Sequence, residues 1–117
     1  MKKQIAQALV TLAMATTSMT AKANHQLYCY EDSGERGALE VLVGEDDGGR
    51  LMAQVFAQGE SRLLKQAGVT KREQSGRDYD IVYIGRDLKV QYSSEYNQAL
   101  LETKLNGRSV RAYMTCD

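Results

Sequence analysis

The stretch ALLETKLNGRSVRAYMTC, residues 99–116, decides the fold because it has the pattern of two strands joined by a tight turn. Asn106-Gly107 at its centre is the strongest short signal for a β-hairpin, since both central residues of a type I′ turn need positive φ. Pairing the chain about this turn gives one mainly apolar face and one face with opposite charges. The apolar face pairs Leu105 with Arg108, Thr103 with Val110, Leu101 with Ala112 and Ala99 with Met114, with Cys116 on the same side; the other face pairs Glu102 with Arg111 and Lys104 with Ser109.

The same region has a competing interpretation as a helix. Residues 94–105 are rich in helix formers, Ser94 could cap the first turn and Gly107 could end the last. We favour the hairpin because a helix gives no reason for matching patterns on both sides of residues 106–107.

Other segments repeat the alternation of apolar and polar residues, punctuated by glycine-containing turns. Residues 39–43 and 51–57 flank the turn at 46–49, and residues 79–84 and 88–92 flank the turn at 85–87, so each set predicts a hairpin. Ser75-Gly76 would turn a strand over residues 69–74 into Tyr79, and residues 61–66 fit either a strand or one helical turn. We predict an all-β domain, a small antiparallel meander of about seven or eight strands that closes into a barrel or sandwich.

The first residues predict export. Lys2 and Lys3 precede an apolar run over residues 5–15, and Ala21-Lys22-Ala23 has the small-residue pattern of a cleavage site. We expect residues 1–23 to be a secretory signal peptide of bacterial type, cleaved after Ala23. Residues 24–117 then form a single β-domain in the periplasm or the medium.

Cys29 and Cys116 are the only cysteines. In an oxidising compartment they are expected to pair, the alternative being two free thiols. Cys29 shares a strand face with Leu27, and Cys116 lies on the apolar side of its hairpin, so both can point inward from terminal strands. Such a bond stabilises a domain of this size by about 4–5 kcal/mol in the chain-entropy account, because it closes nearly the whole chain into one loop.

The balance of charged residues limits the kinds of binding partner that we expect. The chain has 15 Lys and Arg and 15 Asp and Glu; three lysines precede the predicted cleavage site, leaving 12 against 15 and a net charge of −3. Lys71-Arg72, the one basic pair after the predicted cleavage site, is followed by Glu73, so we predict no nucleic-acid partner. No second apolar run approaches the ~20 residues of a membrane span. The large Tyr28 before Cys29 argues against a lipid anchor, and we expect a soluble protein with a protein partner in the envelope; its oligomeric state stays open.

Residues with catalytic or metal-binding chemistry are few. His25, the single histidine, is the second residue of the predicted mature chain, so we predict no catalytic triad, no metal and no cofactor. The acidic run at 45–48 could attract calcium, but Asp-Gly is also typical of a turn. Asp78 and Asp80 could form a carboxylate pair, with Glu40 a third candidate, which keeps a carboxylate-based hydrolase as an alternative.

Tyrosine is the one compositional excess, with seven tyrosines against one phenylalanine and no tryptophan. We expect Tyr79 and Tyr83 to share a strand face, and Tyr28 and Tyr30 to lie on opposite faces of the first strand. Tyrosine is favoured both in strands and at recognition surfaces. The candidate binding surface is therefore Ser75, Gly76, Tyr79 and Tyr83; in the alternative interpretation the tyrosines are half-buried barrel residues.

Several of these features resemble the periplasmic and membrane-bound inhibitors of c-type lysozyme. Tyr28-Cys29, Cys116 and the segment Ser75-Gly76-Arg77-Asp78-Tyr79 resemble the early cysteine, the late cysteine and the Ser-Gly-x-x-Tyr segment of that family. The resemblance implies an eight-stranded barrel in which Ser75 enters a lysozyme cleft. The chain has Gly85-Arg86 where the family has Lys-Gly, and it has no tryptophan.

We therefore predict a non-enzymatic binding module of the bacterial envelope. The alternatives are an inhibitor of an envelope-degrading enzyme, as the resemblance implies, and the carboxylate-based hydrolase.

Overall fold

The computed structural model describes residues 25–32, 38–59 and 62–117, so the predicted signal peptide lies outside the described residues. Eight antiparallel strands form a closed barrel in chain order, which confirms the predicted all-β class and closure. The strands are β1 (His25–Tyr30), β2 (Leu39–Glu45), β3 (Leu51–Ala57), β4 (Leu63–Glu73), β5 (Ile81–Gly85), β6 (Leu88–Ser93), β7 (Gln98–Leu105) and β8 (Arg108–Cys116). None of the described residues forms a helix that could cross a membrane.

The hairpin of β7 and β8 has the predicted register, including Leu105 opposite Arg108 and Glu102 opposite Arg111. Asn106 and Gly107 have φ of 55° and 77°, as a type I′ turn requires. The helical interpretation of residues 94–105 is wrong, because residues 94–97 form a turn and a strand follows.

The other predicted hairpins are confirmed, with changes at their ends. The turn between β2 and β3 is held by the Asp46 carboxylate, which accepts hydrogen bonds from the backbone N–H groups of Gly48 and Arg50, both at 2.9 Å. β5 begins at Ile81, so the strand predicted over residues 79–84 starts too early and Tyr79 lies in a loop.

Residues 62–73 resolve the ambiguity over 61–66 in favour of a strand. β4 runs without interruption from Leu63 to Glu73. Val55 of β3 faces Lys65 while Phe56 faces Leu63, so Leu64 is an extra residue in a β-bulge. The bulge shifts the alternation by one residue, which is why the pattern of this segment did not distinguish a strand from a helical turn.

The core lies inside the barrel, where alternate residues of every strand meet. Val41, Val55, Val90 and Leu101 are fully buried there. At one end Lys65 reaches across the opening, and its Nζ donates to the backbone carbonyls of Asp87 and Lys104 at 3.1 and 3.0 Å. We call this the Lys65 end of the barrel.

The disulfide between Cys29 and Cys116 closes the barrel, as predicted. The two cysteines face each other across β1 and β8, and the N–H of Asp117 donates to the carbonyl of Tyr28 at 3.0 Å. Both cysteines are buried. The bond therefore reinforces the shortest of the strand pairings.

The prediction that Tyr28 and Tyr30 lie on opposite faces of the first strand is wrong. Residues two apart on a strand share a face, and the rings of Tyr28 and Tyr30 lie 5.9 Å apart, centroid to centroid. Both point away from the core, because Leu27 and Cys29 on the same strand belong to it.

Candidate functional site

The antiparallel connections bring three exposed segments to one end of the barrel, opposite the Lys65 end. They are the β2–β3 turn (residues 46–50), the β4–β5 loop (residues 74–80) and the β6–β7 turn (residues 94–97). The β4–β5 loop contains three of the four predicted surface residues. We call this the loop end of the barrel.

The β4–β5 loop is closed at its base by hydrogen bonds. The backbone N–H of Gln74 donates to the carbonyl of Asp80 at 2.9 Å, and the Gln74 side-chain amide donates to the carbonyl of Tyr79 at 3.0 Å. Gly76 has a φ of 75°, a conformation that glycine adopts without strain. Gln74 and Gly76 therefore set the shape of the loop.

A second set of hydrogen bonds holds the loop against the β6–β7 turn. The carboxylate of Asp80 accepts the backbone N–H of Ser94 at 2.8 Å and the Ser94 hydroxyl at 2.5 Å. These bonds favour the ionised carboxylate and lower the pKa of Asp80 below its usual value. We call this contact the Asp80–Ser94 clamp.

The β6–β7 turn is also anchored to the end of β8. The Tyr92 hydroxyl donates to Asn97 Oδ1 at 2.7 Å, and Asn97 Nδ2 donates to the carbonyl of Cys116 at 2.6 Å. Hydrogen bonds therefore lead from the loop through Asp80 and Asn97 to the disulfide-bonded strand. Such bracing restricts the number of conformations that the loop can adopt.

The loop presents polar side chains to solvent. Ser75, Gly76, Arg77 and Asp78 are exposed, whereas Tyr79 is half-buried. Tyr96, in the clamped turn, is 65% exposed. The two segments together offer hydroxyl, guanidinium, carboxylate and aromatic groups at one end of the barrel.

Tyr83 lies apart from the other three predicted surface residues. Its side chain is 3% exposed and belongs to the barrel core, with its hydroxyl 3.5 Å from Gln26 Oε1. Burial is the main cause that raises the pKa of this tyrosine. The structure therefore brings Ser75, Gly76 and Tyr79 together and assigns Tyr83 to packing.

The prediction did not include Ser94 and Tyr96. Their sequence neighbours suggest only a turn or a helix cap, and the clamp joins residues 14 positions apart. The abundance of tyrosine was the one signal that pointed toward Tyr96.

The three candidate carboxylates do not converge. Glu40 lies near the start of β2, toward the Lys65 end and on the outer face of the barrel; burial raises its pKa, opposed by a hydrogen bond from the Tyr28 hydroxyl. Asp80 is engaged in the clamp, and Asp78 is exposed in the loop. Among the described residues, no group of three or more His, Cys, Asp or Glu side chains could hold a metal ion.

Comparisons with models of protein families, with curated proteins and with solved structures found no match. The resemblance to c-type lysozyme inhibitors therefore rests on the residues named above. Arg86, which stands where that family has Lys-Gly, lies in the β5–β6 turn at the Lys65 end. It therefore lies at the opposite end of the barrel from Ser75.

Proposed function

We propose that the exported domain is a non-enzymatic binding module of the bacterial envelope, and that it recognises a protein partner through the β4–β5 loop. Ser75, Gly76 and Tyr79 form the centre of the contact, and Tyr96 of the clamped turn lies beside it.

The observation that carries this proposal is the combination of exposure and bracing in one loop. Binding by a flexible loop costs conformational entropy, and a loop already held in one conformation avoids part of that cost. Ser75 and Arg77 are exposed, while the base of the loop is closed by Gln74 and the Asp80–Ser94 clamp. An exposed, braced loop is suited to a partner with a concave surface.

A more specific candidate is inhibition of an envelope-degrading enzyme, with a c-type lysozyme as the first enzyme to test. The segment Ser75-Gly76-Arg77-Asp78-Tyr79 that carries the resemblance coincides with the braced loop. An enzyme cleft is a concave surface of the kind that such a loop would enter. In this candidate function Ser75 and Arg77 are the groups that reach into the cleft.

The proposal is tested by capture experiments with the exported protein as bait. The bait is exposed to envelope extract and to a c-type lysozyme, and the bound species are identified by mass. Ser75→Arg disturbs the loop, whereas Ser109→Arg makes the same change at an exposed serine on β8, toward the Lys65 end. We expect a stoichiometric partner that the wild type and Ser109→Arg retain and that Ser75→Arg loses.

A partner retained equally by both variants would contradict binding through the loop. No stoichiometric partner in either mixture would contradict the binding function itself. Loss of lysozyme activity on titration with the wild type, and not with Ser75→Arg, would support the inhibitor candidate.

A further inference from the structure

The turn between β7 and β8 holds the one Asn-Gly pair in the chain, Asn106-Gly107. Both residues are exposed, and a Cβ built at Gly107 would meet no atom within 4 Å. The backbone nitrogen that follows Asn106 is therefore open to solvent on the side where any other residue carries a side chain. An asparagine beside such a nitrogen can lose its amide group by forming a ring with the backbone.

Within the part of the chain that the structure describes, hydrogen bonds hold neither of the two groups that would form this ring. No described carbonyl accepts the N–H of Gly107. No described group pairs with the side-chain amide of Asn106. The hairpin is closed by the flanking pair, Leu105 and Arg108, which leaves the two turn residues free. The Gly107 nitrogen can therefore approach Cγ of Asn106 without the loss of a hydrogen bond.

Asn97 provides an internal comparison, because it is also exposed and has the same φ of 55° as Asn106. Its Nδ2 donates to the carbonyl of Cys116 at 2.6 Å, and its Oδ1 accepts the Tyr92 hydroxyl at 2.7 Å. The residue that follows is Gln98, whose side chain shields the backbone nitrogen. Asn97 would have to break both hydrogen bonds to react, so we expect it to be protected.

The β2–β3 turn contains Asp47-Gly48, in which an aspartate could form the same ring. There the N–H of Gly48 donates to the Asp46 carboxylate at 2.9 Å. The nitrogen that would attack is therefore engaged, whereas the nitrogen of Gly107 is not.

We propose that Asn106 is a site of spontaneous deamidation in the folded protein, with water as the co-reactant. The Gly107 nitrogen loses its proton to solvent and bonds to Cγ of Asn106. The bond between Cγ and Nδ2 then breaks, and ammonia leaves. Water opens the resulting succinimide ring at one of its two carbonyl carbons. Opening at Cγ leaves an aspartate, and opening at the backbone carbonyl leaves an isoaspartate, in which the main chain runs through Cγ.

Both products change the Lys65 end of the barrel. Each adds a negative charge close to the exposed Arg108. Isoaspartate also inserts an extra carbon into the main chain, so the turn no longer fits the two-residue hairpin that places Leu105 opposite Arg108. We expect the isoaspartate form to unfold at a lower temperature than the unmodified protein. The turn lies at the opposite end of the barrel from the β4–β5 loop, and this inference does not depend on the proposed function.

The test is peptide mapping by mass spectrometry after the protein has been held in neutral buffer below its unfolding temperature. Trypsin releases Asn106 in a peptide of residues 105–108 and Asn97 in a peptide of residues 90–104, so the two sites are measured separately. A sample digested before the incubation corrects for conversion during the digest. We expect aspartate and isoaspartate to accumulate at Asn106, while Asn97 keeps its amide. Equal conversion at the two sites would contradict the role of the free amide.

Gly107→Ala is the matched variant, because its methyl group meets no other atom but stands beside the reacting nitrogen. We expect it to slow the conversion of Asn106 several-fold. A second comparison, which needs no variant to fold, incubates the wild type unfolded in guanidinium chloride for the same time. Conversion of Asn106 in the unfolded protein but not in the folded protein would overturn the proposal. So would a rate in the folded protein that Gly107→Ala leaves unchanged.

Discussion

At the scale of single residues, the turn at 106–107 shows how backbone conformation selects the amino acid. Gly107 has a φ of 77°, and a Cβ built there would meet no atom within 4 Å. The cost of a substitution is therefore conformational rather than steric. We expect Gly107→Val to lower the free energy of unfolding by at least about 1 kcal/mol, because a β-branched residue resists positive φ. Urea denaturation measures this free energy. Gly107→Asn should lower it less, since asparagine tolerates positive φ better than valine does.

Gly85 is required for the opposite reason, a lack of space. A Cβ at Gly85 would lie 2.6 Å from the backbone oxygen of Gly68, whereas a Cβ at Gly68 would be 3.9 Å from its nearest atom. We predict that Gly85→Ala destabilises the barrel by about 1–3 kcal/mol, as other overpacked sites do, and that Gly68→Ala has a much smaller effect. Equal melting temperatures for the two variants would contradict this account of the β4–β5 contact.

At the scale of strands and turns, the hairpins were predictable where local signals agreed. For β7–β8 the turn dipeptide, the alternation and the cross-strand charges all indicated one register. They did not agree for β4, because the bulge at Leu64 breaks the alternation. The local signals also could not show that Leu42 and Phe56 point away from the barrel core, since both residues lie in nearly continuous apolar runs.

The candidate site was predictable only in part, for the same reason. Ser75-Gly76 is a local turn signal and was found, whereas the Asp80–Ser94 clamp joins two elements and needs the barrel to exist first. Tyr83 was grouped with Tyr79 because residues four apart on a strand share a face. The strand begins only at Ile81, so Tyr79 lies in the loop while Tyr83 points into the core.

The clamp predicts a pH dependence of the β4–β5 loop. The pKa of Asp80 in the folded protein is lowered, so the clamp is fully formed above the ordinary aspartate pKa of 3.8. It is lost as the pH falls through the lower, folded pKa. We expect the amide resonance of Ser94 to titrate in that acidic range in the wild type, and not in Asp80→Asn. A Ser94 resonance unchanged down to the pH of global unfolding would contradict the clamp.

At the scale of the whole molecule, the disulfide links residues 87 positions apart and closes the barrel. The short β1–β8 pairing offers few hydrogen bonds of its own, so the covalent bond carries much of the closure. We predict that replacing both cysteines by serine lowers the free energy of unfolding by up to about 4–5 kcal/mol, because the open chain gains loop entropy. Thermal unfolding with and without reductant measures this loss of stability. The double-serine variant should not respond to reductant.

The central claim is that this disulfide-closed barrel recognises a protein through its β4–β5 loop. The most direct test is amide hydrogen exchange of the protein, free and in the complex with its captured partner. Binding through the loop predicts that protection increases at residues 75–79 and 94–97, and that the turn at 106–107 exchanges as in the free protein. Protection elsewhere, with the loop unchanged, would contradict the claim.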